Sequence, residues 1–323
     1  NKRGPYSTPL WVQLATDGLG RPLLAFGDSG PGATIGTFPL QTWAFDGTSW
    51  QSLALPLTAP QLGGFALGRG ADGQVRLALS TGHDLHLFVL GVPGWAAAVP
   101  PHVHDGGVSE PDLAFAADGT PLVAFSEAAS PGSFGTLHAL RWADGGWTDL
   151  GLPSPLDAGI LFHTPRVGAL SDGGVVVAAS EWRYDVLIKV QIGVDVPVFS
   201  LGKSGWSLLD ADGAPGGFAL SEPIPGAPVG LQLAGDVPVV VSTGADGGVS
   251  LRTIRPSSVP SVAPVLGGYG AGTLLLMPDG TPVVGAVTPV SHETGPGMVD
   301  GGQVQLLHFT GNPASAGRAG RAR

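Results

Sequence analysis

The chain has 323 residues, 43% hydrophobic and only 12% charged, so it can bury a core that hides roughly three quarters of its unfolded surface. Its net charge is −10, and three of its fifteen basic residues are Arg318, Arg321 and Arg323, which leaves no basic stripe for nucleic acid and disfavours anionic membrane surfaces. With no cysteine there are no disulfides, no thiolate catalysis and no cysteine-ligated zinc, and no apolar run approaches the roughly 20 residues of a membrane helix.

Apolar-polar alternation dominates and helical stripes are nearly missing, so the predicted elements are strands. Gly (53) and Pro (30) fall between the apolar runs and read as turn punctuation. The first unit predicts strands at 10–15, 22–26, 38–44 and 50–53, with turns at Asp17-Gly18 and Asp46-Gly47. The second predicts 65–70, 75–80, 85–90 and 95–99. The third predicts 112–117, 121–125, 136–142 and 147–150, with tight turns at Asp118-Gly119 and Asp144-Gly145-Gly146. The fourth predicts 166–170, 175–180, 186–192 and 206–209. The fifth predicts 229–234, 238–242 and 249–254, then a weak strand at 259–265. The sixth predicts 273–277, 282–287 and 303–310, with no fourth strand of its own.

One phrase recurs through these units: a strand, an Asp-Gly turn, a second strand. Its turns fall at Asp17, Asp72, Asp118, Asp172, Gly235-Asp236 and Asp279, a period that marks a repeat architecture. Asp-Gly supplies the positive φ angles of two-residue hairpins. Trp50, Trp95, Trp147 and Trp206 each open a fourth strand, which reads as packing between stacked sheets.

Six four-stranded antiparallel units in a row resemble a six-bladed β-propeller, an all-β fold, over residues 5–311. The expected blades are 9–55, 61–100, 109–152, 163–210, 226–266 and 271–311, forming a single domain (1–311) with a basic, flexible tail at 312–323. Residues 1–8 would complete the last sheet. The chain lacks the Gly-His to Trp-Asp signature of WD40 blades, the kelch Gly-Gly doublet and the sialidase Asp-box, so it resembles a divergent bacterial propeller. Beginning at Asn1, it reads as a processed product, with export or a cell-surface location expected.

The resemblance implies that the Asp-Gly turns share one face and the longer loops another, where ligand sites are expected. His83, His102, His104, His163 and His292 map to the long-loop face and are the candidate ligands of a divalent transition metal. His86, His138 and His308 recur within third strands and read as structural. Glu127 and Glu181 end second strands and are the candidate acid–base residues. Tyr6, Asp28, Trp182, Arg183, Asp185, Tyr269 and Glu293 would give the mouth aromatic and charged surface for a ligand. No catalytic motif is complete. The leading expectation is therefore a binding module for a protein, peptide or glycan. The alternatives are a metal-dependent hydrolase or lyase with its site at the channel mouth, and a structural subunit of a larger assembly.

Overall fold

The computed structural model describes residues 12–27, 40–57, 63–92, 94–128, 135–151, 160–191, 194–210, 222–224, 226–243, 248–253, 263–267, 273–276, 282–289 and 302–308. All regular structure among them is strand, arranged in six antiparallel sheets. The chain divides into two compact units, 1–161 with 214–217 and 162–213 with 218–323.

The first unit holds three sheets. Sheet 1 is β1 (Val12–Thr16), β2 (Pro22–Gly27), β3 (Leu40–Phe45) and β4 (Trp50–Ser52), in that order. Sheet 2 is β5 (Gly64–Arg69), β6 (Val75–Thr81), β7 (Asp84–Leu90) and β8 (Trp95–Ala97), and β9 (His102–Val103) also pairs with β7. Sheet 3 is β10 (Gly107–Phe115), β11 (Pro121–Ala128), β12 (Gly135–Ala143) and β13 (Gly146–Asp149).

These sheets stack because their inner strands are apolar on both faces. On β6, Val75, Leu77 and Leu79 pack with Leu23 and Ala25 of sheet 1. Ala78 points the other way and joins Ala66, Val123, Phe125 and Leu140 against sheet 3. A period of two places alternate residues on opposite faces, so one strand serves two interfaces. Gln13 adds a polar tie between sheets 1 and 2, donating to the Phe65 carbonyl (3.0 Å) and accepting from the Leu67 amide (2.6 Å). Trp95 Nε1 donates to Thr42 Oγ1 at 3.0 Å across the same interface.

The second unit holds the other three sheets. Sheet 4 is β14 (Ile160–Ala169), β15 (Val175–Gln191), β16 (Val194–Leu209) and β17 (Glu222–Ile224). Sheet 5 is β18 (Ala227–Ala234), β19 (Val237–Thr243), β20 (Gly248–Thr253) and β21 (Ala263–Gly267). Sheet 6 is β22 (Thr273–Leu276), β23 (Pro282–Pro289) and β24 (Gly302–His308), three strands among the described residues. Val176, Ala178 and Trp206 pack on Leu231 and Val240, while Val239, Val241 and Leu251 pack on Leu274 and Val284.

Two local expectations are corrected. The fourth unit's second and third strands do not turn back near residue 181. They run on as one long hairpin, β15 with β16, through register shifts at Ser180/Trp182, Tyr184/Val186 and Lys189/Gln191. The segment 182–191 is itself rich in strand formers, so the ladder runs through the loop expected at 181–185 and takes residues 186–191, expected as the third strand, into the second. Trp206 therefore lies within the third strand, paired with Ala178, and does not open a fourth.

The first-to-second-strand turns also differ from two-residue hairpins in four sheets. Gly20, Gly73, Gly119 and Gly173 each have positive φ, and each amide donates to the carbonyl three residues back. This is the three-residue loop of a type I turn closed by a left-handed bulge. Tight two-residue turns do occur at Asp144-Gly145, with φ of 53° and 78°, and at Gly235-Asp236, where Gly235 has φ of 63°.

Candidate functional site

The connection from β8 to β10 crosses from sheet 2 to sheet 3 and carries His102 and His104. Backbone bonds fix it to sheet 2. His102 pairs with Leu85 and Val103 with Asp84, the His104 amide donates to the His83 carbonyl (3.0 Å), and the Val108 amide donates to the Gly82 carbonyl (2.7 Å). Gly63 has no room for a side chain here, because a Cβ would overlap the Val108 carbonyl oxygen and meet Ser80 Oγ at 2.8 Å.

Side chains from sheet 3 meet this crossing segment. Glu127 lies on β11, and its Oε1 accepts the Gly106 amide at 2.7 Å, which fixes the carboxylate under the loop. Its other oxygen, Oε2, lies 3.4 Å from His104 Nδ1 and 2.8 Å from His138 Nε2. The 2.8 Å contact lacks the alignment of a hydrogen bond. His138 stands on β12 with Nδ1 3.1 Å from Asp149 Oδ2, at the end of β13. The chain of contacts thus runs Asp149, His138, Glu127, His104, and then His102, whose ring centroid is 4.5 Å from that of His104. Phe125 forms the floor, stacked on His138 at 5.1 Å and edge-on to His104 at 4.7 Å.

The cluster is mostly shielded: the side chains of His104, His138 and Glu127 are 8%, 17% and 18% exposed. Burial holds His104 below the ordinary imidazole range, and neighbouring His102 pushes the same way against the pull of Glu127. Burial also lowers His102. Burial pulls Glu127 and Asp149 upward, but the Gly106 amide and two imidazoles for Glu127, and His138 and the Gly151 amide for Asp149, leave both below their usual range. For His102 and His104 the outcome is a neutral imidazole near an ionised carboxylate, the protonation states of metal ligands and of a general base. Among the described residues, His104, Glu127 and His138 form one group whose ligand atoms lie within 4.8 Å of one another.

The structure brings His102, His104 and Glu127 together. His83 contributes its carbonyl, and its side chain lies on an exposed turn. Glu181 continues β15 past the buried Ser180, as Glu127 follows the buried Ser126. His163 lies on β14 and Trp182, Arg183 and Asp185 on β15, with side chains outside the described ones. Tyr6, Asp28, Tyr269, His292 and Glu293 lie outside the described residues.

His138 and Asp149 were not among the expected ligands, yet period and register point to both. His138 pairs with Phe125, which shares a strand face with Glu127 two residues on. Asp149 pairs with Leu140, two residues from His138 on β12. Sheet 2 has the same geometry with a neutral partner: His86 pairs with Leu79, and Thr81 Oγ1 lies 2.9 Å from His86 Nε2. Sheet 3 thus places a carboxylate where sheet 2 has a hydroxyl.

No family model and no curated protein matches the chain. Among solved structures it is similar to a protein of unknown function from Dyadobacter fermentans, at 12% identity and a TM-score of 0.62 over 92% of each chain. It is similar to the Penicillium chrysogenum alpha-L-arabinanase complexed with arabinobiose, at 13% identity and a TM-score of 0.56, over 94% of this chain and 95% of that one. It is also similar to the GH93 alpha-L-arabinofuranosidase of Fusarium graminearum, again with arabinobiose, at 13% identity and a TM-score of 0.55, over 93% and 92%. The last two are β-propellers, and the likeness across nearly the whole chain shows the same kind of fold here.

Proposed function

We propose that this chain is a six-bladed propeller whose long-loop face holds a neutral glycan. The observation that carries this reading is the whole-length likeness to two arabinan-active enzymes, both solved in complex with arabinobiose. Fold alone does not fix function. Charge narrows the choice among glycans, because a body of net charge −10 repels sulfated and uronate polymers. A neutral pentose or hexose polymer meets no such penalty. Binding is preferred over cleavage because the side chains of His104, His138 and Glu127 are at most 18% exposed, too enclosed for a polymer to reach.

Native gel electrophoresis of the full chain through entrapped polysaccharide tests the reading. Linear arabinan, or another neutral polymer, is expected to retard the protein, and a sulfated uronate polymer is not. Unchanged mobility in every neutral polymer would contradict glycan holding. Retardation by the anionic polymer alone would contradict the charge argument. Release of reducing ends from a retained polymer would move the assignment to the hydrolase or lyase class.

A further inference from the structure

Glu127 Oε2 lies between two imidazole nitrogens, His104 Nδ1 at 3.4 Å and His138 Nε2 at 2.8 Å. Asp149 is an ionised carboxylate and only accepts, so the proton it shares with His138 belongs to His138 Nδ1. His138 Nε2 lies 2.8 Å from the Glu127 carboxylate oxygen and outside hydrogen-bond alignment with it. The His104 side chain is more than nine-tenths buried, and its Nε2 is also without a hydrogen-bond partner. Buried polar groups without partners are costly, and a cation held among the imidazoles and the carboxylate would supply one.

We propose that a divalent transition metal of the zinc class sits among His104, Glu127 and His138 and clamps the crossing segment 102–106 to sheet 3. Two imidazoles and one carboxylate suit zinc and not the all-oxygen shells of calcium or magnesium. Zinc bonds of about 2.0–2.1 Å put tetrahedral ligand atoms about 3.3–3.4 Å apart. The separation between His104 Nδ1 and Glu127 Oε2 is 3.4 Å, while His138 Nε2, 2.8 Å from the same oxygen, would draw back to bind the ion. Asp149 on His138 Nδ1 supplies the outer carboxylate that fixes the tautomer of a metal-bound histidine. His102 is the neighbouring imidazole for a fourth position. The crossing segment is tied to sheet 2 by its backbone, so the metal would staple two sheets together.

The inference does not depend on the glycan reading, since zinc alone is the probe. Chelator-stripped full-length protein, titrated with zinc by calorimetry, is expected to bind one ion per chain and to melt roughly 5 °C higher. Cobalt in its place is expected to give the intense visible bands of a tetrahedral site. Asp149→Asn is expected to weaken zinc roughly 10–100-fold. Glu127→Thr copies the Thr81–His86 pair of sheet 2, so it is expected to keep the strand circular-dichroism spectrum and lose the ion. Absence of zinc binding by the wild type would overturn the proposal. So would wild-type affinity in both variants, which would put the ion on other histidines.

Discussion

Glu127 is held at one oxygen by the Gly106 amide and shared at the other between His104 and His138. Its pairing makes a definite statement about pH. Burial lowers His104, so the folded state favours the neutral ring over a reference of 6.5. That stabilising contribution is present above 6.5 and is lost as pH falls through the lower folded value. The Glu127 carboxyl, also lowered, has the same sign: its contribution is present above 4.5 and is lost on further acidification. Ring-proton NMR of the metal-free chain is expected to show His104 titrating below 6.5, and a midpoint above it would contradict the burial argument. Part of this site was legible in the sequence. His102, His104 and Glu127 stood out as loop histidines and a strand-end acid. His138 did not, because a histidine inside a repeated Leu-His pair looks structural until the register sets it on the Glu127 face.

The strands were legible because a period of two survives sequence divergence, and sheets 1, 2, 3 and 5 follow the expected order. The turns were legible as places and not as types. Asp118-Gly119 and Asp144-Gly145 read alike, yet one closes a three-residue bulged loop and the other a two-residue turn. What decides is whether the residue before Asp pairs across the hairpin, which only the ladder reveals. The two contexts predict different tolerance. Gly119 has φ of 87° and a Cβ there would lie 3.1 Å from Asp72, so Gly119→Ala is expected to cost about 1–2 kcal/mol in urea unfolding. Gly20 has φ of 77° with open space around it, so Gly20→Asn is expected to cost about 0.5 kcal/mol or less. Equal costs would contradict the packing between the turns of sheets 2 and 3. Leu140 is fully buried between the same two sheets, and Leu140→Ala is expected to lose about 2–5 kcal/mol. The long β15–β16 hairpin was not legible, since the strand signal at 186–192 reads equally as a separate third strand and as a continuation of the second.

At the scale of the molecule, a repeat of sheets gains stability from each interface between neighbours, so a staple between two sheets acts where the architecture depends on contact. The acidic body favours cations and disfavours polyanions, in line with both a metal at sheet 3 and a neutral glycan on the loop face. The two roles are separable by experiment: a zinc-free variant that still folds is expected to retain arabinan, since the side chains of His104, His138 and Glu127 are too enclosed to meet a polymer. Loss of retention on removing zinc would join them into one site. The central claim is that the His104–Glu127–His138 cluster is built for a metal ion. Anomalous diffraction at the zinc edge, from crystals grown with zinc, tests it most directly. A single strong peak about 2.0–2.1 Å from His138 Nε2 and Glu127 Oε2 is the predicted result. No peak there, or a peak only at other histidines, would contradict it.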